Sequence, residues 1–141
     1  MDQALYQAAI LTFEELGFVF PVRRDDGAKI DDAQSLSAVV AFHGEFGGIL
    51  VLQVEREVLP AIASNMLGED APFEEAMLRD VLGEITNVIC GNTLPEIGGK
   101  AAIFQLDAPQ ITERSKLAEN PTATAKLDLE EGRADVLLYL N

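Results

Sequence analysis

Asp80, Glu84, Asn87 and Gly91, within the stretch DVLGEITNVICGN, set two carboxylates, a carboxamide and a glycine at helical spacing. At about 100° per residue, the four positions fall within roughly a 60° arc of one helix face. Met77, Leu78, Val81, Leu82, Ile85, Val88 and Ile89 form a separate apolar stripe centred about 110–120° away. Arg79, Gly83, Thr86 and Cys90 take the remaining side. The polar row is therefore expected on the shoulder of the helix, held by neighbours yet able to reach a partner. Carboxylates there accept hydrogen bonds or pair with cations, and a carboxamide can hold a polar group without charge.

Nothing else in the chain competes with this row. His43 ends an expected strand, with no second His and no nucleophile recognisable beside it, and reads as structural. Cys90 lies next to the row, but no nearby cation favours its thiolate, so it reads as an incidental small residue. One Cys and one His cannot make a zinc site. Asp25-Asp26-Gly27 through Asp31-Asp32 lacks the ordered acids and closing Glu of a calcium loop and reads as a solvated loop. Gly44-Glu45-Phe46-Gly47-Gly48 joins two expected strands instead of opening a helix, which makes it a turn and not a phosphate cradle. No metal or other cofactor is expected to be held by this chain.

The 141 residues suit one domain, 1–141, with its own core. Twenty-four acidic against ten basic residues give a net charge of −14. That field repels phosphate backbones and anionic headgroups, so nucleic acid and membrane surfaces are poor partners. The longest apolar run, Ile49-Leu50-Val51-Leu52, is far below the roughly 20 residues that span a bilayer. A single cysteine and an acidic start, Met1-Asp2-Gln3-Ala4-Leu5, without a basic, apolar leader fit a soluble, cytoplasmic protein.

The elements that must position the row follow from periodicity. Apolar residues from Leu5 to Leu16 recur at helical spacing and Gly17 offers a stop, giving a first helix over 2–17. A short strand is expected over 18–22, then a polar loop over 23–34. Residues 36–43 and 48–54 read as an antiparallel hairpin. A second helix spans 55–67, with Pro60 near its first turn and Gly68 at its end. Asp70 is a candidate N-cap, and the third helix, carrying the row, runs to about Asn92. Extended segments follow at 102–106, 122–129 and 133–140, the last two a hairpin, with a polar, mobile loop over 112–121. Hairpins outnumber strand–helix–strand crossovers, so the expected fold is α+β: a largely antiparallel sheet with helices packed on one face.

Asp80-x3-Glu84-x2-Asn87, then Gly91-Asn92, then Pro109 in Leu106-Asp107-Ala108-Pro109 at slightly shorter spacing than usual, resembles the signature of the CheC/CheX/FliY family of response-regulator phosphatases. The likeness extends to the Gly47-Gly48 strand opening and to Asn65-Met66-Leu67-Gly68-Glu69 before the motif helix, and is closest to the CheX branch. CheC-type members carry a second Glu/Asn motif on the first helix. Here Glu15 is followed by Phe18 where Asn is required, so one site is expected.

The resemblance implies hydrolysis of the phosphoaspartate of a CheY-type response regulator in chemotaxis. In that scheme Asn87 orients the attacking water and Glu84 pairs with the regulator's active-site lysine, with Asp80 and Gly91 in support. The magnesium belongs to the regulator. A homodimer joined through sheet edges is also implied. The alternative is a non-enzymatic adaptor that binds a response regulator or another flagellar or chemotaxis protein through the same acidic helix. A scaffold in the flagellar switch is less favoured, since the chain ends at Asn141.

Overall fold

A computed structural model describes residues 1–17 and 19–141. The elements are α1 (Asp2–Gly17), β1 (Val22–Arg23), β2 (Ser35–His43), β3 (Gly48–Glu55), α2 (Val58–Leu67), α3 (Glu75–Gly98), β4 (Gln105–Leu106), β5 (Gln110–Thr112), β6 (Ala123–Leu129) and β7 (Gly132–Leu140). The strands form one antiparallel sheet of order β1-β6-β7-β3-β2-β4, with β5 also pairing with β2. The three helices pack on one face of it. An antiparallel sheet covered by helices is the expected α+β class.

Strand alternation sets that face. Leu36, Ala38, Val40 and Phe42 of β2, Leu50, Leu52 and Val54 of β3, and Ala134, Val136 and Leu138 of β7 point into the helical core. Register is fixed from Ser35 opposite Glu55 to Phe42 opposite Gly48. A side chain at Gly48 would collide with the Tyr139 carbonyl of β7, so this strand opening requires glycine.

Several boundaries differ from those read in the sequence. Of the strand expected over 18–22, position 18 lies outside the described residues, and pairing is confined to Val22–Arg23 against Leu127 and Asp128. Segment 102–106 shortens to β4, and an unforeseen strand, β5, follows it across the Pro109 turn. Helix α2 starts at Val58 because Glu55 still pairs across the sheet with Ser35. It ends at Gly68 in the left-handed conformation, φ 68°. Helix α3 begins at Glu75 without the Asp70 cap and passes through Pro95 to Gly98. Leu94 and the partly buried Ile97 hold that last stretch against the core. Pro95 is exposed, so the Gly91 carbonyl, deprived of its helical donor, faces solvent.

The second sheet face is not left to water. Arg24, in the expected solvated loop, is buried and donates to Asp135 Oδ1 at 2.8 Å, while Ile30 of the same loop is also buried. Arg114, in the loop expected to be mobile, donates to Asp135 Oδ2 at 2.6 Å and to Gln53 Oε1 at 3.1 Å. Both segments are thus strapped beneath the sheet by a buried aspartate that neither loop's local sequence announces.

Candidate functional site

Helix α3 is fastened along more of its circumference than the sequence suggests. Besides Val81, Leu82, Ile85 and Ile89, the positions Gly83, Thr86, Cys90 and Thr93 are buried. These small residues let the helix settle close to its neighbours. A Cβ at Gly83 would lie 3.1 Å from the Pro109 side chain, which packs directly on the helix there. Thr86 and Thr93 satisfy their buried hydroxyls on the Leu82 and Ile89 carbonyls, each at 2.7 Å. Burial pushes the Cys90 thiol up to about 12, so it stays protonated and inert.

The consequence is a firmer hold than periodicity implies. The shoulder expected for the polar row is the crest of a helix buried on both flanks. Asp80 and Glu84 are exposed and Asn87 half-buried. Glu84 and Asn87 stand about 4.5 Å apart along the axis. Among the described residues none of the three makes a side-chain hydrogen bond or ion pair. The nearby cations Arg56 and Arg79 are drawn instead to Glu75, at 2.9 and 3.6 Å.

Asp80 and Glu84 separate two depressions. One, about 260 Å³, has Arg79, Gly83, Pro109, Gln110 and Ile111 as its other walls. The other, about 240 Å³, is walled by Met66, Leu67, Met77 and Val81. Asn87 lines neither and follows on the crest. Gly91 is set apart from the row, in a cleft between α3 and α1 shared with Leu11, Asn92 and Pro95. A Cβ on Gly91 would meet nothing in the chain.

Pro109, Arg79 and the methionine wall were not singled out by the sequence as parts of one surface. One signal was available: Gly83 sits mid-helix, where Ala would be favoured by about 1 kcal/mol, which points to a close contact. His43 is exposed and meets Asp107 at 3.2 Å, and it lines neither depression. Among the described residues no group of three or more His, Cys, Asp or Glu side chains is placed to hold a metal ion, and no helix is long and apolar enough to cross a membrane.

The chemotaxis protein CheX from Desulfovibrio desulfuricans superposes with a TM-score of 0.78 at 19% identity, covering 99% of this chain and 97% of that one. A CheC-like chemotactic protein from Shewanella oneidensis gives 0.69 at 20% identity, covering 99% and 96%. The CheX–CheY–BeF3–Mg2+ complex from Borrelia burgdorferi gives 0.71 at 17% identity, covering 99% and 96%. None of the curated proteins matches the chain in sequence. The family model described as chemotaxis phosphatase CheX matches residues 36–129. The chain belongs to the CheX family.

Proposed function

We propose that this protein hydrolyses the phosphoaspartate of a CheY-type response regulator, with Asn87 orienting the attacking water and Glu84 docking on the regulator's lysine. The observation that carries this reading is the Asp80–Glu84–Asn87 crest, exposed at Asp80 and Glu84 and half-buried at Asn87, on a helix packed along both flanks. Family membership and the likeness to a CheX bound to CheY support the choice of partner.

The chemistry asks little covalent work of the crest. Displacement at phosphorus needs a water in line with the bond to be broken, and rigid positioning supplies much of the acceleration. The Asn87 carboxamide oxygen can accept a hydrogen bond from that water without placing a negative charge against the incoming phosphoryl group. A carboxylate at the same point would repel it. Glu84, one turn earlier and without a cation of its own, suits an ion pair with an ammonium brought by the regulator. Asp80 adds to the negative potential that attracts that cation. On this proposal the magnesium belongs to the regulator's phosphorylation site and the reaction runs in the cytoplasm.

A homodimer through sheet edges is part of the same proposal, and a closed edge narrows where it forms. The Thr124 and Lys126 amides at the β6 edge donate to Asp2 Oδ1 and Tyr6 Oη of α1, at 3.2 and 3.1 Å. We assign the second copy to the β4–β5 edge, beyond β2, on the opposite side of the sheet from these contacts. Light scattering of the purified protein, with and without proline substitution at Ile111, reads this directly.

The deciding experiment measures phosphate release from phosphorylated CheY-type regulators. Asn87→Ala should lower kcat by about a hundredfold or more, since misplacing the reacting water costs that much. Glu84→Ala should mainly raise KM. Undiminished turnover by Asn87→Ala refutes the mechanism. Binding by the wild type without accelerated phosphate loss establishes the adaptor alternative instead.

A further inference from the structure

The depression walled by Met66, Leu67, Met77 and Val81 has no role in orienting water, yet it abuts the crest. Asp80 and Glu84 form its rim. Its floor is the core side of α3, and its outer wall is the last turn of α2. Gly68 ends that turn in the left-handed conformation, so no further turn of α2 covers Met66 and Leu67. Leu67 is left 43% exposed. The chain holds three methionines, one of them the first residue, so both internal methionines, Met66 and Met77, stand in this one notch. Long, unbranched and polarizable, they adapt to whatever side chain is presented.

We propose that this notch receives one large apolar side chain of the response regulator, from the surface bordering the lysine that pairs with Glu84. The inference rests on the phosphatase reading for the identity of the partner. Three features favour this occupant. The notch is continuous with the crest, sharing two of its three residues, so a regulator seated on Glu84 covers it. At about 240 Å³ it is below the roughly 300 Å³ at which small-molecule pockets begin, and suits one side chain. Its wall is apolar while its rim is anionic, which matches an apolar group flanked by a cation and disfavours an acidic one.

An apolar anchor in a desolvated pocket, ringed by polar contacts, is the arrangement that concentrates binding energy at protein interfaces. Glu84 would then supply charge recognition and the notch supply affinity, with turnover left to Asn87. This division separates binding from chemistry and can be read experimentally.

Leu67→Ala, Met77→Ala and the double variant are titrated with beryllofluoride-activated CheY-type regulators, and their kcat is measured on the phosphorylated forms. The double variant should bind at least about tenfold more weakly, with kcat within about twofold of wild type. Met77→Leu should restore affinity, which excludes a general loss of fold. In protein labelled with 13C at the methionine methyls, Met66 and Met77 should shift on adding the activated regulator. Unmoved methyl signals at saturation, or a double variant that binds as wild type does while Glu84→Ala is weakened, overturn the notch and leave the catalytic reading standing. A wild type that neither binds nor dephosphorylates any regulator overturns both.

Discussion

Asp135→Ala removes the aspartate that fastens both loops beneath the sheet, and its cost can be worked from the structure. Asp135 is fully buried, and its two oxygens accept from Arg24 at 2.8 Å and Arg114 at 2.6 Å. The Arg24 and Arg114 side chains are 2% and 19% exposed, so neither can be fully rehydrated without moving its loop. Arg24 keeps Asp26 and the carbonyls of Ala28 and Leu127 as partners, while Arg114 keeps Gln53. Removing one partner from a buried ion cluster costs about 3–5 kcal/mol, because a desolvated charge is left behind. That is a large fraction of the 5–15 kcal/mol that holds a typical domain together. With a urea slope near 2 kcal/mol/M, the unfolding midpoint should fall by about 2 M. Replacing all three groups together, as Arg24→Met, Asp135→Leu and Arg114→Met, should cost less than Asp135→Ala alone, since no charge remains stranded. Asp135 lies on the sheet face away from α3, so kcat per folded molecule should be preserved, with any loss confined to KM through the freed Arg114 loop. A midpoint shift under about 0.5 M would refute the argument.

Arg114→Ala frees the segment whose earlier residues, Gln110 and Ile111, wall the groove beside Glu84. Steady-state kinetics should show KM rising several-fold with kcat nearly unchanged, and an equal fall in kcat would contradict an anchoring role. The Arg133 side chain, donating to Glu55 at 3.0 and 3.2 Å, holds the Glu55 carboxyl below its ordinary value of 4.5. The folded state then binds fewer protons than the unfolded one, so this stability is present above pH about 4.5 and is lost as pH falls through the depressed value. Glu55→Gln should flatten that acid limb in denaturation midpoints taken from pH 6 to 3, and an unchanged slope would exclude the linkage. Cys90, buried with its thiol pushed up to about 12, should resist a thiol reagent in the native protein and react fully in urea. Rapid native labelling would show that α3 opens locally.

The sequence by itself determined the α+β class, the three helices, both long hairpins and the Asp80–Glu84–Asn87 row. These are properties of short range: strand alternation, helical periodicity, and the glycine at 68 that stops α2. Family membership was legible for a related reason, since the row's spacing is fixed by one turn of helix. Tertiary structure decided what periodicity cannot. Gly83, Thr86 and Cys90 were simply the side of the helix left over by periodicity, and became buried because distant segments pack on it, Pro109 against Gly83 among them. Arg24 and Arg114 looked like loop residues, and were drawn beneath the sheet, Arg24 buried and Arg114 half-buried, because Asp135 of β7 offers them a counter-charge. Helix α3 runs past Pro95 because Leu94 and Ile97 gain more from the core than one missing hydrogen bond costs. In each case the deciding partner lies far along the chain, and only folding brings it within bonding distance. The same holds for the crest: its residues were written in thirteen consecutive letters, but its exposure, rigidity and neighbouring notch belong to the folded chain.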